Sequence, residues 1–174
     1  WIATANAVAY CGATPVFCDI DKNSFNISID ELKKKINSNT KAIIPVHLFG
    51  LMVDMPEIKE IAQEIPLLED AACASGSCID GKFPGHYSKA AAFSFHPRKS
   101  ITTGEGGMVI TNCDELADSM ITLRNHGASV SAELRHQGTK PYLLPDFNIL
   151  GFNYRMSDIQ ASIGVVQLKK LNKF

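Results

Sequence analysis

Short apolar segments alternate with amphipathic segments along this chain of 174 residues, and the alternation limits the folds open to it. Three of the apolar segments are short and are predicted as strands, residues 13–20, 41–48 and 66–70, and the second of them is also too β-branched for a helix. Segments with helical spacing lie between or before them, at residues 3–10, 28–36 and 57–64. Strands joined by helical crossovers pair in parallel, so the pattern predicts an α/β fold with a mostly parallel sheet flanked by helices.

The second half of the chain continues the alternation. The apolar runs 90–92 and 107–111 are predicted as strands, and a helix with an apolar stripe follows through residue 123. Residues 128–149 show no sustained period and are predicted as a long excursion. Ser157 begins a capping-box pattern, which predicts a last helix with a buried stripe formed by Met156, Ile159, Ile163, Val166 and Leu171.

Polar residues follow the predicted strands at the points where they end. Asp19, His47, Asp70 and Ser94 stand at four such ends, and parallel strands bring their carboxyl ends to one edge of a sheet. Lys99 follows Ser94 in a loop that runs to Gly107. A lysine at that edge is a candidate amine nucleophile; the alternative is a surface lysine in a turn.

Charge and cysteine content narrow the function classes. Seventeen basic and eighteen acidic residues leave the chain nearly neutral, without the basic block that nucleic acids or membrane surfaces require. The five cysteines form neither a CxxC pair nor a zinc spacing with histidine, so no metal site is predicted. Without a signal segment or a membrane-spanning run, we expect a cytoplasmic protein that binds small polar ligands.

Several strings, in order and spacing, resemble one known family. They are Ser-Phe-His-Pro-Arg-Lys at 94–99, Thr-Gly-Glu-Gly-Gly-Met-Val-Ile-Thr-Asn at 103–112, Leu-Glu-Asp-Ala-Ala at 68–72, Pro-Val-His-Leu-Phe-Gly at 45–50 and Gly-Phe-Asn-Tyr-Arg-Met-Ser-Asp-Ile-Gln-Ala at 151–161. Together they resemble the nucleotide-sugar aminotransferases of the DegT and StrS group, which depend on pyridoxal 5'-phosphate (PLP).

The resemblance implies the large PLP domain of the aspartate-aminotransferase fold. Members of the group are about twice as long as a single domain of this size. We therefore expect residues 1–174 to form one partial domain, the central part of that large domain. An N-terminal segment with a second phosphate-binding turn and a smaller C-terminal domain would lie outside it.

The resemblance also assigns roles to residues near the cofactor. Lys99 would form the internal aldimine with PLP and later carry the proton to and from the substrate carbon. Asp70 would pair with the protonated pyridine nitrogen, although a helix cap is the alternative for this aspartate. Ser94 would donate to the phosphate, and Ala72 would allow close approach to one ring face. Cys73 stands where relatives carry the glutamine or histidine that contacts the ring 3-hydroxyl.

Three further residues receive roles from the resemblance. Trp1 would stack on the opposite ring face, with a core tryptophan as the alternative. Asn153 would reach across a homodimer interface to the neighbouring subunit's phosphate, so that two chains share each active site. His47 would line the site near the sugar, with a hydrogen-bonded core histidine as the alternative.

The activity implied is transamination in two half-reactions. An amino donor, glutamate in most relatives, would supply nitrogen for a keto group on a nucleotide-linked deoxysugar, for use in polysaccharide or secondary-metabolite biosynthesis. Two alternatives remain on this fold. One is a regulatory or sensory protein without catalysis, and the other is a sugar dehydratase, although dehydratases of this group carry histidine at the position of Lys99.

Overall fold

A computed structural model describes residues 1–130 and 132–174 and confirms the α/β class. The helices and strands run in the order α1 Ile2–Tyr10, α2 Ile29–Lys35, α3 Met55–Ala62, β1 Leu68–Asp70, β2 Ala90–Ser94, β3 Gly107–Ile110, α4 Asp114–Leu123, α5 Ala132–Gln137 and α6 Asp158–Leu168. Two short 3-10 helices, Leu48–Gly50 and Leu171–Lys173, complete the described elements.

The sheet is mixed, with strand order β1-β2-β3. β1 and β2 pair in parallel, with Asp70 opposite Ala92, and β3 runs antiparallel to β2, with Gly107 opposite Ser94. The antiparallel pairing of β3 differs from the parallel pairing expected for most strands of this sheet. Its cause is the short connection, because β2 and β3 are joined by a loop and not by a crossover helix.

Two predicted strands do not form as regular strands. The segment 41–48 lies alongside β1 through only two parallel bridges, Ile43 with Leu67 and Val46 with Asp70. In the segment 13–20, only Ile20 forms a bridge, to Ile27 nearby, while Val16 and Phe17 stay exposed. Apolar, β-branched sequence favours strands, but a strand also needs a neighbour in register.

The predicted helix starts are confirmed. Ser28 caps α2, and its hydroxyl accepts the Glu31 amide at 3.3 Å. At α6 the full capping box forms, because the Ser157 hydroxyl accepts the Gln160 amide and the Gln160 side chain accepts the Ser157 amide. Such caps satisfy amides that the first helical turn leaves without partners.

The main core lies under α2, α3 and the start of β1. Its buried members are Leu32, Ile43, Met52, Val53, Met55, Ile58, Ala62 and Leu67. A second cluster of three alanines, Ala71, Ala74 and Ala91, packs with Phe93 beside the end of β1. Closely packed side chains therefore hold the carboxyl ends of β1 and β2 in place.

The predicted buried stripe of α6 is wrong at Ile159, Ile163 and Val166, which are exposed, whereas Met156 and Leu171 are partly buried. At Gly164 the helix approaches the loop between β2 and β3, where a Cβ would stand 3.0 Å from Thr103 Cγ2. Between α6 and the sheet lies an apolar cavity of about 430 Å³, lined among others by Phe93, Phe95, Met108, Ile110 and Leu168. A glycine permits that approach because it has no side chain to exclude the partner.

The described helices are short. The longest, α6, has 11 residues, whereas a helix needs about 20 apolar residues to cross a bilayer. None of the described helices is long and apolar enough to do so.

Candidate active site

Asp70 ends β1, and its carboxylate is held from two sides. Oδ2 accepts the hydroxyl of Thr4 in α1 at 2.6 Å, and Oδ1 accepts the amide of Ala72 at 3.1 Å. The backbone around it is fixed as well, because the Asp70 amide donates to Pro45 and its carbonyl accepts the His47 amide. Residues 71–89 contain no helix, so the helix-cap alternative for Asp70 is wrong.

Lys99 lies in the turn that follows β2. Its amide donates to the His96 carbonyl at 2.9 Å, and its Nζ donates to Cys73 Sγ at 3.2 Å. Cys73 belongs to the same turn whose Ala72 amide binds Asp70. The turn 71–73 therefore joins the surroundings of Asp70 to those of Lys99, two residues that are distant in sequence.

The loop that carries Lys99 is closed on itself. The Phe95 amide donates to Gly106, and the Phe95 carbonyl accepts both the Thr103 amide and the Thr102 hydroxyl. Gly106 has φ +153°, and a Cβ there would stand 2.5 Å from Thr103 Oγ1. Only glycine fits this backbone without displacing the loop.

Two candidate residues lie beside this turn and loop. Ser94 ends β2 and is partly buried; its Oγ accepts the His96 amide at 3.3 Å, which leaves the hydroxyl hydrogen available to a ligand. Ala72 is partly buried between Asp70 and Cys73, and its methyl group adds little bulk.

Trp1 is 97% exposed, so the alternative of a core tryptophan is wrong. It caps α1 and precedes Thr4 by one helical turn. Residues three apart lie on one side of a helix, and Thr4 contacts Asp70. The indole therefore belongs to the helix that borders the Asp70 carboxylate.

His47 is fully buried, and its position corrects the expectation that it lines a sugar site. Its Nε2 lies 2.7 Å from Glu69 Oε2, and its Nδ1 accepts the Val53 amide at 3.2 Å. Since Nδ1 accepts, Nε2 carries the proton and donates to the carboxylate. His47 is thus the hydrogen-bonded core histidine, with no side-chain surface left for a substrate.

Glu69 accepts three hydrogen bonds inside the core. Besides His47, the donors are the Gly85 amide at 2.7 Å and the Ser88 hydroxyl at 2.5 Å. Burial raises the pKa of the Glu69 carboxyl, but the bonds from His47, Ser88 and Gly85 outweigh burial and bring the pKa below its usual 4.5. The carboxylate therefore stays ionised and ties three segments together.

Asn153 lies apart from the other candidates. It is exposed and forms an antiparallel bridge to Asn125, while Arg155 Nη1 donates to Asn125 Oδ1 at 2.5 Å. In the part of the chain that the structure describes, no hydrogen bond joins Asn153 to Asp70, Ser94 or Lys99. Hydrogen bonds thus link Thr4, Asp70, Cys73 and Lys99 through the turn 71–73, Ser94 ends the strand before the Lys99 loop, and Asn153 takes no part in these bonds.

Sequence reasoning missed Thr4 and Glu69. Thr4 gave no signal of its own, because a threonine near a helix start is ordinary. Glu69 did give one, since a charged residue within the apolar segment 66–70 needs a buried partner. Over residues 1–130 and 132–174, no three His, Cys, Asp or Glu side chains lie close enough to bind a metal ion.

A family model and curated relatives match this chain over nearly its whole length. The model of the DegT/DnrJ/EryC1/StrS aminotransferase family matches residues 1–174. The GDP-perosamine synthase of Caulobacter vibrioides is 47% identical over 99% of this chain and 44% of its own length. The chain thus spans less than half the length of this curated relative.

Solved structures share the fold. PseC of Helicobacter pylori, an aminotransferase involved in pseudaminic acid biosynthesis, is 36% identical with a TM-score of 0.90, over 99% of this chain and 44% of that one. The PLP form of a putative sugar aminotransferase of Streptococcus pneumoniae is 28% identical with a TM-score of 0.87, over 99% and 47%. With its full length matched by the family model, the chain belongs to the DegT/DnrJ/EryC1/StrS aminotransferase family.

Proposed function

We propose that this chain carries the cofactor site of a PLP-dependent aminotransferase, which transfers an amino group to a keto group on a nucleotide-linked deoxysugar. One observation carries the proposal. The turn 71–73 binds the Asp70 carboxylate through the Ala72 amide and the Lys99 amine through Cys73, so one turn contacts both the acid and the amine.

The side chains present fit this cofactor. PLP offers an aldehyde to an amine, a basic ring nitrogen to a carboxylate and a phosphate to hydrogen-bond donors. Lys99 supplies the amine, Asp70 the carboxylate and Ser94 a hydroxyl with its hydrogen free to donate. Ala72 and the exposed Trp1 offer a small face and a flat aromatic face for the two sides of a ring.

Each residue has a distinct task in the proposed reaction. Bound PLP withdraws electrons from the substrate carbon next to the nitrogen. Asp70 keeps the ring nitrogen protonated, and Thr4 and the Ala72 amide keep Asp70 in place. Lys99 Nζ tethers the cofactor, then accepts the proton from that carbon and returns it at the neighbouring position.

The substrate class is carried over from the relatives. One relative is named a GDP-perosamine synthase and PseC is described as an aminotransferase of pseudaminic acid biosynthesis, and we assign a nucleotide-linked keto sugar to this chain by that likeness. Glutamate is the proposed amino donor, and a homodimer sharing its sites through Asn153 is the proposed assembly. The five cysteines all carry free thiols, which fits a reducing cytoplasm.

Borohydride labelling tests the cofactor role of Lys99. The full-length protein is loaded with PLP, reduced and digested, and the peptide that gains the cofactor mass is identified. We expect the label on Lys99, no label in Lys99→Ala, and a loss of amination of about a thousandfold in that variant. Lys89→Ala, which removes another exposed lysine, serves as the control and should leave labelling unchanged.

The same experiment separates the alternatives. A regulatory protein would not convert the cofactor when glutamate is added, whatever its labelling. A wild-type protein that gains no label on residue 99 would end the aminotransferase proposal.

A further inference from the structure

The hydroxyl of Thr4 leaves its own helix. A threonine inside a helix commonly bonds the carbonyl one turn earlier. Thr4 Oγ1 instead donates to Asp70 Oδ2 at 2.6 Å, across 66 positions of sequence. A distance this short is typical of a hydroxyl bound to an ionised carboxylate.

The bond completes the fixation of the carboxylate. The Ala72 amide holds Oδ1 from within the turn, and Thr4 holds Oδ2 from α1. With one oxygen bound on each side, the carboxylate cannot rotate about its side-chain bond without breaking a hydrogen bond. Each oxygen keeps further acceptor capacity for a third donor.

The bond also locates α1. None of the nine residues of α1 is buried, so core packing contributes little to the position of this helix. The Thr4 hydroxyl joins it to the end of β1, and Trp1 lies one turn earlier on the same helix. The Thr4 hydrogen bond thus helps to orient the carboxylate and also affects the position of the helix that carries the indole.

We infer that Thr4 is a positioning residue for the contact between Asp70 and the cofactor ring, an inference that rests on the proposed function. Thr4 does not touch the reacting atoms. It sets the plane of the carboxylate that meets the ring nitrogen, and it keeps α1 against that site.

The test compares Thr4→Val, which replaces the hydroxyl by a methyl group, with Thr4→Ser, which keeps the hydroxyl. PLP dissociation and the pH midpoint of the bound cofactor's visible absorbance are measured on the full-length protein. Loss of a hydrogen bond to a charged group predicts roughly tenfold or greater weakening of PLP binding in Thr4→Val, with a displaced midpoint. Thr4→Ser should stay within about twofold of the wild type.

Controls separate positioning from general damage. Thr122→Val alters a partly buried helical threonine of α4 and should leave both readouts unchanged. In an Asp70→Asn background, Thr4→Val should weaken PLP binding far less than in the wild type, because the two side chains act together. Thr4→Ala repeats the measurements if the valine variant does not fold.

The outcomes are distinct. If Thr4→Val and Thr4→Ala match the wild type in both readouts, or if Thr4→Ser loses as much as Thr4→Val, the inference is overturned. If the wild type itself gains no borohydride label on Lys99, the proposed function fails first.

Discussion

Glu69 and Asp70 are neighbours in sequence, but their carboxylates serve opposite sides of β1. Successive side chains on a strand point to opposite faces, so Glu69 enters the core while Asp70 meets α1. His47 holds both residues, because its imidazole binds Glu69 and its amide binds the Asp70 carbonyl. The position of Asp70 therefore depends on a buried hydrogen-bond network around the Glu69 carboxylate.

Glu69→Gln should destabilise the fold. The new amide group would face His47 Nε2–H, so two donors would oppose each other. If His47 moved its proton to Nδ1, the bond from the Val53 amide would be lost instead. Either way one buried polar group loses its partner, and we expect unfolding in urea to show a loss of about 1 to 3 kcal/mol.

Measuring the loss of unfolding free energy in Glu69→Gln at several pH values controls for causes other than the ionised carboxylate. The folded-state pKa of Glu69 lies below its usual 4.5, so its ionised form contributes stability above pH 4.5. That contribution is lost as the pH falls through the folded-state pKa. The difference between wild type and Glu69→Gln should therefore shrink in acid, and Glu60→Gln, an exposed change on α3, should show no such trend. A constant difference from pH 7 to pH 3 would contradict the network's role.

At the scale of single residues, the sequence predicts which residues lie at strand ends better than it predicts their hydrogen-bond partners. Asp70, Ser94 and Lys99 stand at the strand ends or in the loop where the pattern puts them. The sequence left His47 open between a sugar site and a hydrogen-bonded core, because its partner Glu69 comes 22 residues later and no local period links the two. A hydrogen bond between distant segments depends on register, which a single sequence does not reveal.

At the scale of elements, glycines bring the end of α4 against the segment before α6. A Cβ on Gly127 would overlap the Ile149 carbonyl, and a Cβ on Gly151 would overlap the Gly127 amide. Through this contact the Phe152 amide donates to Leu123, and the bridge between Asn125 and Asn153 forms. Two glycines thus determine where Asn153 lies.

Gly127→Ala should cost more stability than an equal change elsewhere. Gly127 has φ +78°, and Gly12 has φ +72° but nothing within 4 Å of a built Cβ. Gly12→Ala therefore measures backbone strain alone, about 1 kcal/mol, while Gly127→Ala adds a backbone clash. We expect urea unfolding to show at least about 2 kcal/mol for Gly127→Ala. Equal losses of unfolding free energy in the two variants would mean that the segment 149–151 moves away from the added methyl group without cost.

Local sequence signals were enough to predict the helices, whereas the strands were predicted less well because they depend on pairing with distant segments. The cap residues Ser28 and Ser157 act within one turn of their own helices, so the sequence alone placed α2 and α6. The buried face of α6 was predicted wrongly, because an apolar stripe says nothing about the element it meets. Contact through Gly164 depends on the position of Thr103, in another part of the chain.

At the scale of the whole molecule, the proposed site draws on three distant segments. Thr4 comes from α1, Asp70 and Cys73 from the end of β1, and Lys99 from the loop after β2. Asn153 stands outside this group, although the resemblance gives it a phosphate contact. An asparagine that makes no hydrogen bond to the site residues of its own chain is free to contact the site of a second copy, as the proposed homodimer requires.

Mixing two inactive variants tests this arrangement. Lys99→Ala removes the amine from its own chain's site, and Asn153→Ala would weaken the site of the neighbouring chain. In a mixed dimer, one site would then combine an intact Lys99 with the partner's intact asparagine, while the other would carry both defects.

Unfolding the two full-length variants together and refolding them at equal amounts should restore roughly a quarter of wild-type amination, because half of the dimers are mixed and each has one intact site. If Asn153 instead served its own chain, every site would keep at least one defect, and the mixture would show no more activity than the average of the two variants alone. The matched control is a double variant, with Lys99→Ala and Asn153→Ala in one chain, mixed with wild type. In its mixed dimers, one site should carry only the lysine defect and the other only the asparagine defect.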